Sequence, residues 1–152
     1  MKQTTLVYIE KNGKYLLIHR TKKQGDENRD KWIGIGGKFE SGESPFDCIR
    51  REMLEETGLV PSSLQYRGIV TFVSDLYGTE YMHLFKCQEF TGEQKLISDE
   101  GILQWIDKKH LLELPMWEGD RIFLSLLDSE CRFFSLKLVY QGDTLVNHTL
   151  EF

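Results

Sequence analysis

Four charged residues in one short stretch have the types and spacing that could do chemistry: Arg51, Glu52, Glu55 and Glu56. On an α-helix, at about 100° per residue, the three glutamates fan over roughly a 100° arc and share one face. Like charges three or four residues apart destabilise a helix by roughly 0.2–0.5 kcal/mol per pair. A face that accepts this repulsion is suited to a divalent cation, because hard ions such as Mg²⁺ prefer carboxylate oxygens as ligands.

A helix with defined ends is predicted to carry these side chains. Ser44 is a natural N-cap, Pro45 fits the first helical position, and Asp47 lies where the acid of a capping box reaches back. Gly58 suits the left-handed position that ends many helices. Apolar residues at helical spacing form the adjoining face, which can dock on a core: Phe46, Ile49 and Met53.

The segment from Gly37 to Leu59 resembles the Nudix box, Gly-x5-Glu-x7-Arg-Glu-U-x-Glu-Glu-x-Gly-U, where U is aliphatic. Every fixed position is filled, by Gly37, Glu43, Arg51, Glu52, Met53, Glu55, Glu56, Gly58 and Leu59. The resemblance implies hydrolysis of a nucleoside diphosphate linked to another group. Two other phosphate-binding motifs are excluded, because the glycines near Gly36 lack the spacing of a P-loop and of a dinucleotide-binding turn.

The Nudix resemblance also implies a metal site. It assigns Mg²⁺, with Mn²⁺ as a substitute, to Glu52, Glu55, Glu56 and the backbone carbonyl of Gly36. Such an ion lowers the pKa of a bound water and stabilises charge that develops on phosphate oxygens. Glu52 or another carboxylate without a metal bond is the candidate general base.

Four further charged residues are expected to support this site. Glu100, in a loop before a predicted strand, could join the metal ligands or could equally be a solvated acid. Arg51 is expected to orient a box carboxylate by a charge-assisted bond. Glu43 would anchor the geometry of loop and helix, and Lys38 could contact phosphate or the attacking water. The predicted catalytic residues are therefore Lys38, Glu43, Arg51, Glu52 and Glu55.

A second resemblance, to the MutT-like oxidised purine nucleoside triphosphatases, concerns a nucleobase pocket. It rests on Trp32-x-Gly-x-Gly-Gly-Lys, Phe72 and Trp117-x-x-Asp120. It implies that Trp117 stacks on a purine and Asp120 bonds to the base edge, with Gly37 and Lys38 also contacting substrate. Trp32 and Phe72 could equally be core residues. The sequence departs from the animal members of this group, which have an asparagine at the position of Ile33 and an aspartate at that of Gly119.

Composition limits the classes of partner. The 152 residues predict one domain, residues 1–152, and a net charge of −5 argues against a protein that grips long nucleic acids. Cys48, Cys87 and Cys131 show neither a disulfide framework nor zinc-site spacing, which is typical of a cytoplasmic protein. No stretch is long and apolar enough for a membrane span. We expect a monomer or homodimer that binds a small nucleotide.

The rest of the chain is predicted to be mainly strands. We predict strands at 4–10 and 14–20 around an Asn12-Gly13 turn, then a loop at 21–31 and a strand at 32–39. Further strands are predicted at 64–76, 80–90, 102–106, 133–140 and 144–152, a short helix at 108–114 and an amphipathic helix at 120–129. This order predicts an α/β fold of the α+β kind, and it resembles the Nudix-type α/β/α sandwich with a mixed β-sheet.

The function that this sequence favours is Mg²⁺-dependent hydrolysis of a nucleoside triphosphate to a monophosphate and pyrophosphate. An oxidised purine such as 8-oxo-dGTP is the expected substrate, and removal of damaged nucleotides the expected role. Other Nudix substrates remain alternatives: ADP-ribose, a dinucleoside polyphosphate, a pterin triphosphate or capped RNA. A non-catalytic module that senses a nucleotide is less favoured, because such modules often lose a box glutamate and none is missing in this chain.

Overall fold

One mixed β-sheet forms the centre of the protein. The structure is a computed structural model that describes residues 1–21 and 30–152, and the strands within these ranges form a nine-stranded sheet. The strands are β1 (Lys2–Lys11), β2 (Lys14–Arg20), β3 (Trp32–Ile33), β4 (Ile35–Lys38), β5 (Leu59–Ser74), β6 (Gly78–Gly92), β7 (Gly101–Asp107), β8 (Phe134–Gln141) and β9 (Thr144–Glu151). The helices are α1 (Pro45–Thr57), a 3₁₀ helix at Lys108–Glu113, and α2 (Glu118–Leu127).

The position of β1 explains how distant parts of the chain come together. The main path of the sheet is β3-β2-β1-β6-β5-β8-β9, with β4 also paired to β1 and β7 to β2. β1 runs parallel to β6, with Leu6 opposite Leu84, and antiparallel to β4, with Leu6 opposite Gly36. The glycine-rich segment before α1 is therefore hydrogen-bonded to a central strand.

Successive side chains of a strand point to opposite faces, so the sheet divides the hydrophobic core into two layers. In β1, Tyr8 belongs to the layer that contains Phe123 of α2. The neighbouring Val7 belongs to the other layer, with Ile49 and Met53 of α1. One helix therefore covers each face, and the predicted α/β/α sandwich with a mixed sheet is confirmed.

The helix α1 has the predicted ends. The Ser44 hydroxyl accepts a hydrogen bond from the Asp47 backbone N–H at 3.1 Å, and the Asp47 carboxylate accepts one from the Ser44 N–H at 3.0 Å. Gly58 ends the helix in the left-handed region, at φ 79°. These caps satisfy backbone groups that a helix end leaves unpaired, and they fix where the carboxylates of α1 begin.

The prediction of a single strand at 32–39 is wrong. The segment breaks at Gly34 into β3, which pairs with β2, and β4, which pairs with β1. A Cβ atom at Gly34 would lie 2.8 Å from the Val7 carbonyl oxygen, so a glycine is needed where the chain changes partner. The loop predicted at 21–31 falls largely outside the described residues.

The remaining elements differ from prediction mainly at their ends. β5 begins at Leu59, earlier than predicted, and passes through register shifts between Pro61 and Gly68. The predicted short helix is a 3₁₀ helix, and α2 begins at Glu118 and not at Asp120. No helix in the described part of the chain is long and apolar enough to cross a membrane.

Candidate active site

Arg51 is the centre of a polar network on α1. Its guanidinium donates to Glu43 through Nε (2.7 Å) and Nη2 (2.9 Å), and to Glu52 through Nη1 (2.8 Å). It also donates to Glu55 at 3.2 Å and to the Lys38 carbonyl at 3.0 Å. Arg51 therefore ties the turn after β4 to two of the three box carboxylates, as an orienting residue should.

Two glycines allow the turn and the helix to approach closely. A Cβ atom at Gly37 would lie 2.6 Å from Cδ of Glu52, and one at Gly36 would lie 1.9 Å from the Thr5 carbonyl oxygen. Any larger residue would displace either the Glu52 carboxylate or β1. These two glycines thus allow the backbone turn after β4 to lie directly against the side chain of Glu52.

Burial and repulsion both act on the box carboxylates. Burial, together with Glu100 and Glu52, raises the pKa of Glu56 to about 7. Burial also raises the pKa of Glu52, helped by Glu55 and Glu100, although the hydrogen bond from Arg51 opposes the shift. The Oε2 atom of Glu56 is buried and has no hydrogen-bond partner among the described residues. The carboxylate of Glu56 therefore keeps a buried acceptor that a cation could satisfy.

Glu100 lines the same cavity as Glu52, and its charge raises the pKa of both Glu52 and Glu56. Its backbone N–H donates to the Ser98 hydroxyl at 3.1 Å, which shapes the loop before β7. Its side chain also forms an ion pair with Arg20 at 2.8 Å. The sequence left Glu100 either near the site or in solvent, and the structure brings it to the site.

A cavity of about 660 Å³ extends from these charged groups along the sheet face that α2 covers. Arg51, Glu52 and Glu100 line one part of it, with the turn at Gly36, Gly37 and Lys38. Phe72, Trp117 and Asp120 line another part. Charged residues from the box and aromatic residues from β5 and α2 therefore share a single space.

The Asp120 carboxyl is unusual for its burial. Only 4% of the residue is exposed, so its carboxyl is almost removed from solvent. Burial raises its pKa to about 8, against the attraction of Arg121 and Lys31. A carboxyl in this state can donate as well as accept a hydrogen bond.

Aromatic rings surround this end of the cavity. Trp117 precedes α2 and meets Tyr140 edge to face, with ring centroids 5.2 Å apart. The Tyr140 hydroxyl accepts a hydrogen bond from the Gly119 N–H at 2.7 Å. A Cβ atom at Gly119 would lie 2.4 Å from Leu138, so glycine permits α2 to start close to β8. The start of α2, and with it Asp120, is therefore held against the sheet.

Comparison with known proteins identifies the family. Residues 2–127 match the family described as NUDIX domain. The chain belongs to the Nudix hydrolase family. It is similar to an oxidized purine nucleoside triphosphate hydrolase of Danio rerio, with 35% identity over 99% of this chain and 94% of that protein.

Two other relatives agree with this assignment. The uncharacterized Nudix hydrolase YvcI of Bacillus subtilis (strain 168) is 34% identical over 84% of this chain and 79% of its own length. The crystal structure of a MutT protein from Bacillus halodurans superimposes with a TM-score of 0.87 at 31% identity, covering 99% of this chain and 98% of that one. The similarity to that MutT structure therefore extends over nearly the whole chain.

Nudix hydrolases generally use a divalent metal ion, and the residues of this Nudix box fit one. The donor set is all oxygen, and the orphaned Oε2 of Glu56 is a buried acceptor that a cation would satisfy. In residues 1–21 and 30–152, no three His, Cys, Asp or Glu side chains already converge as a metal site. Arg51 bonds one oxygen of Glu52 (Oε1) and one of Glu55 (Oε2), so the second oxygen of each carboxylate can still face a cation.

The other predicted substrate residues fall into two groups. Phe72, Gly37, Lys38, Trp117 and Asp120 line the Nudix cavity, whereas Trp32 does not. The Trp32 indole stacks on His19 with ring centroids 4.5 Å apart, and it packs against the core layer of α2. Packing accounts for this tryptophan, and its contact with substrate stays a prediction.

Sequence reasoning missed several residues at the cavity of this Nudix protein. Lys31 places its Nζ 4.4 Å from the centre of the Trp117 ring, although it was predicted only as part of a loop. Glu80, Thr4 and Tyr140 line the cavity as well. Their strands were predicted, but only the pairing of β1 with β6 and of β5 with β8 reveals that they face one space.

Proposed function

We propose that this protein hydrolyses a nucleoside triphosphate, an oxidised purine such as 8-oxo-dGTP, to the monophosphate and pyrophosphate with Mg²⁺, for which Mn²⁺ can substitute. The observation that carries the proposal is the shared cavity. It joins Glu52 and Glu100 to the buried Asp120 beside Trp117. A nucleotide has two matching parts. Its phosphates require metal ions or cationic side chains, and its base requires an aromatic ring for stacking and a polar group for hydrogen bonds.

The chain's own residues divide the chemistry as follows. A bound Mg²⁺ supplies an activated water and neutralises charge on the phosphates. Glu52, Glu55 and Glu56, with Glu100 and the Gly36 carbonyl, would hold the ion. Arg51 orients the first two of these carboxylates through bonds of 2.8 and 3.2 Å.

Two further roles are a phosphate-binding lysine and a general base for the attacking water. Lys38 is exposed at the cavity and can bind a phosphate oxygen. The general base would be a carboxylate that is not bound to the ion, and Glu52 is the candidate if the other ligands hold the ion without it, because burial raises its pKa and so makes it a better proton acceptor than an exposed glutamate.

The part of the cavity lined by Trp117 and Asp120 is suited to a purine base. Trp117 offers a ring face for stacking, an interaction that contributes about 1–3 kcal/mol per base. A protonated Asp120 can donate to a purine oxygen, and its raised pKa keeps that proton near neutral pH. Relatives named as oxidized purine nucleoside triphosphate hydrolases, at 35% and 28% identity, favour the oxidised substrate. In a cell, the protein would then remove damaged precursors before they enter DNA, acting in the cytoplasm as a monomer or homodimer.

The test is a release assay with Mg²⁺ that scores pyrophosphate against phosphate. The panel contains 8-oxo-dGTP, dGTP, ADP-ribose and a dinucleoside polyphosphate, with Glu56→Gln as the inactive control. We expect pyrophosphate as the product and the highest kcat/KM for 8-oxo-dGTP. We also expect Asp120→Ala to remove most of the preference of 8-oxo-dGTP over dGTP, because the base edge then loses its polar partner. Fast turnover of ADP-ribose or the dinucleoside polyphosphate, without preference among triphosphates, would overturn the proposal.

A further inference from the structure

Glu80 is a carboxylate on the floor of the cavity that is not among the proposed metal ligands. It is on β6, two residues before Met82, so both side chains point to the sheet face that α2 covers. Glu80 lines the cavity, and 23% of its side chain is exposed. Nothing in the Nudix box explains a negative charge at this place.

Polar contacts from β1 fix the position of this carboxylate. The Thr4 hydroxyl donates to Oε2 at 2.8 Å, and the Lys2 ammonium lies 3.5 Å from Oε1. Thr4 is itself buried, with 8% exposed. A carboxylate has about four acceptor sites, so these two contacts leave acceptor capacity on both oxygens. The group is held in place but is not saturated.

The neighbours of Glu80 belong to the aromatic end of the cavity. Its cross-strand partner is Phe72, whose ring lies 6.3 Å from that of Tyr140. The Tyr140 ring in turn meets Trp117 at 5.2 Å. Glu80 therefore lies next to the aromatic rings that extend across the sheet from Phe72 to Trp117. Glu80 and Asp120 line the same cavity.

We propose that Glu80 is a specificity-determining residue that accepts hydrogen bonds from the donor edge of a guanine-type base. This inference rests on the proposed function and names the base class that the site selects. A negative charge repels phosphates, so a substrate group beside Glu80 must instead present N–H or O–H donors. Guanine and 8-oxoguanine carry two adjacent donors, the ring N1–H and the 2-amino group, which match the two oxygens of a carboxylate. Adenine offers a single amino donor next to an acceptor nitrogen and matches poorly.

The experiment compares dGTP with dITP, which lacks only the 2-amino group. The ratio of kcat/KM for dGTP over dITP is measured in wild type, Glu80→Gln and Glu89→Gln. Glu89 lies on the same strand but is exposed and outside the cavity, so its variant is the matched control. We expect wild type to favour dGTP, and Glu80→Gln to lower the ratio about tenfold or more, the scale of a lost hydrogen bond to a charged acceptor. The control should leave the ratio unchanged.

A second measurement separates selection from turnover. Calorimetric binding of dGMP and dIMP without metal should give the same change in affinity ratio on Glu80→Gln. If that variant does not fold, Glu80→Asp keeps the charge opposite Lys2 but withdraws it by one methylene, and it should lower both ratios as well. A dGTP preference that survives both variants would overturn the role of Glu80 and leave the proposed function standing. A wild type that hydrolyses no nucleoside triphosphate would overturn both.

Discussion

The Arg51 guanidinium holds the Glu43 carboxylate with a bidentate pair of hydrogen bonds, from Nε to Oε2 at 2.7 Å and from Nη2 to Oε1 at 2.9 Å. These bonds from Arg51 lower the pKa of Glu43 to about 2, aided by the Glu40 N–H. Glu43 is thus fully engaged as an anchor between the turn and α1. The Nη1 atom of Arg51 contacts Glu52 and Glu55. One side chain therefore joins Glu43 to two of the carboxylates that would hold metal.

Replacement of Arg51 by lysine should therefore impair catalysis more than folding. A lysine carries the same charge but cannot bond Glu43 and Glu52 at once with a planar fork. We expect Arg51→Lys to lower kcat, or the affinity for Mg²⁺, by about 10- to 100-fold, as removal of an orienting partner of metal ligands does. Arg50→Lys is the matched control, since Arg50 is exposed and only 4.0 Å from Asp47. Steady-state kinetics at several Mg²⁺ concentrations check this, and equal effects of the two variants would contradict it.

Substitution of Glu56 by glutamine should stabilise the metal-free protein while it removes activity. The folded pKa of Glu56, about 7, lies above the unfolded value of about 4.3. The free energy of unfolding therefore falls as pH rises between these values, and Glu56→Gln should remove that loss. Urea denaturation with a chelator at pH 8 should find the variant more stable than wild type.

The same variant should respond weakly to metal. We expect kcat to fall by about 10²-fold or more, the scale of lost electrostatic stabilisation at a reacting centre. Mg²⁺ should raise the melting temperature of wild type but raise that of Glu56→Gln much less. Glu93→Gln, an exposed site, is the control. Full turnover by Glu56→Gln would show that the carboxylates of α1 are not the catalytic ones.

Asp120 should make stability depend on pH in a second window. Its folded pKa is about 8 and its unfolded value about 3.9, so the folded state holds an extra proton between them. The free energy of unfolding should fall as pH rises through this range, with a slope of at most about 1.4 kcal/mol per pH unit from this group. Asp120→Asn should flatten the difference between pH 5.5 and pH 8.5, and Asp143→Asn, in an exposed turn, should not. An unchanged slope in Asp120→Asn would mean that Asp120 is ionised in the folded protein.

The two tryptophans of the predicted base pocket should behave differently. Trp117→Ala should raise KM for a purine triphosphate about 5- to 150-fold, which corresponds to a loss of about 1–3 kcal/mol of stacking. Trp32→Ala should leave KM nearly unchanged but lower the melting temperature, because its indole stacks on His19 and packs on the core. Kinetics and thermal denaturation of both variants decide the matter. A rise in KM for Trp32→Ala alone would exchange their roles.

The elements with local signals could be predicted from the sequence. The helix α1 carries its own caps at Ser44 and Gly58, and the hairpin of β1 and β2 has the Asn12-Gly13 turn. The break at Gly34 could not be predicted, because it depends on how close the chain passes to Val7. Likewise, the early start of β5 is stabilised by pairing with the distant end of β6, with Leu59 opposite Gly92.

The residues of the site also divide into those that local sequence predicts and those that depend on strand pairing. The box residues lie close in sequence, so their common face on α1 follows from helical spacing. The contact of Thr4 with Glu80 joins residues 76 positions apart and requires the parallel pairing of β1 with β6, which no local pattern encodes. The ion pair of Arg20 with Glu100 similarly depends on β2 lying beside β7.

Two neighbouring threonines of β1 serve opposite sides of the sheet. The Thr4 hydroxyl holds Glu80 on the cavity floor, whereas that of Thr5 lies 3.2 Å from Cys48 on α1, with Gly37 opposite Thr5. A deletion or insertion of one residue in β1 would exchange these two sides and disrupt both ends of the site at once. An added residue at the Asn12-Gly13 turn would disturb neither. The length of β1 therefore links the proposed base pocket to the Nudix box, whereas a substitution at Thr4 or Glu80 would alter the base pocket alone.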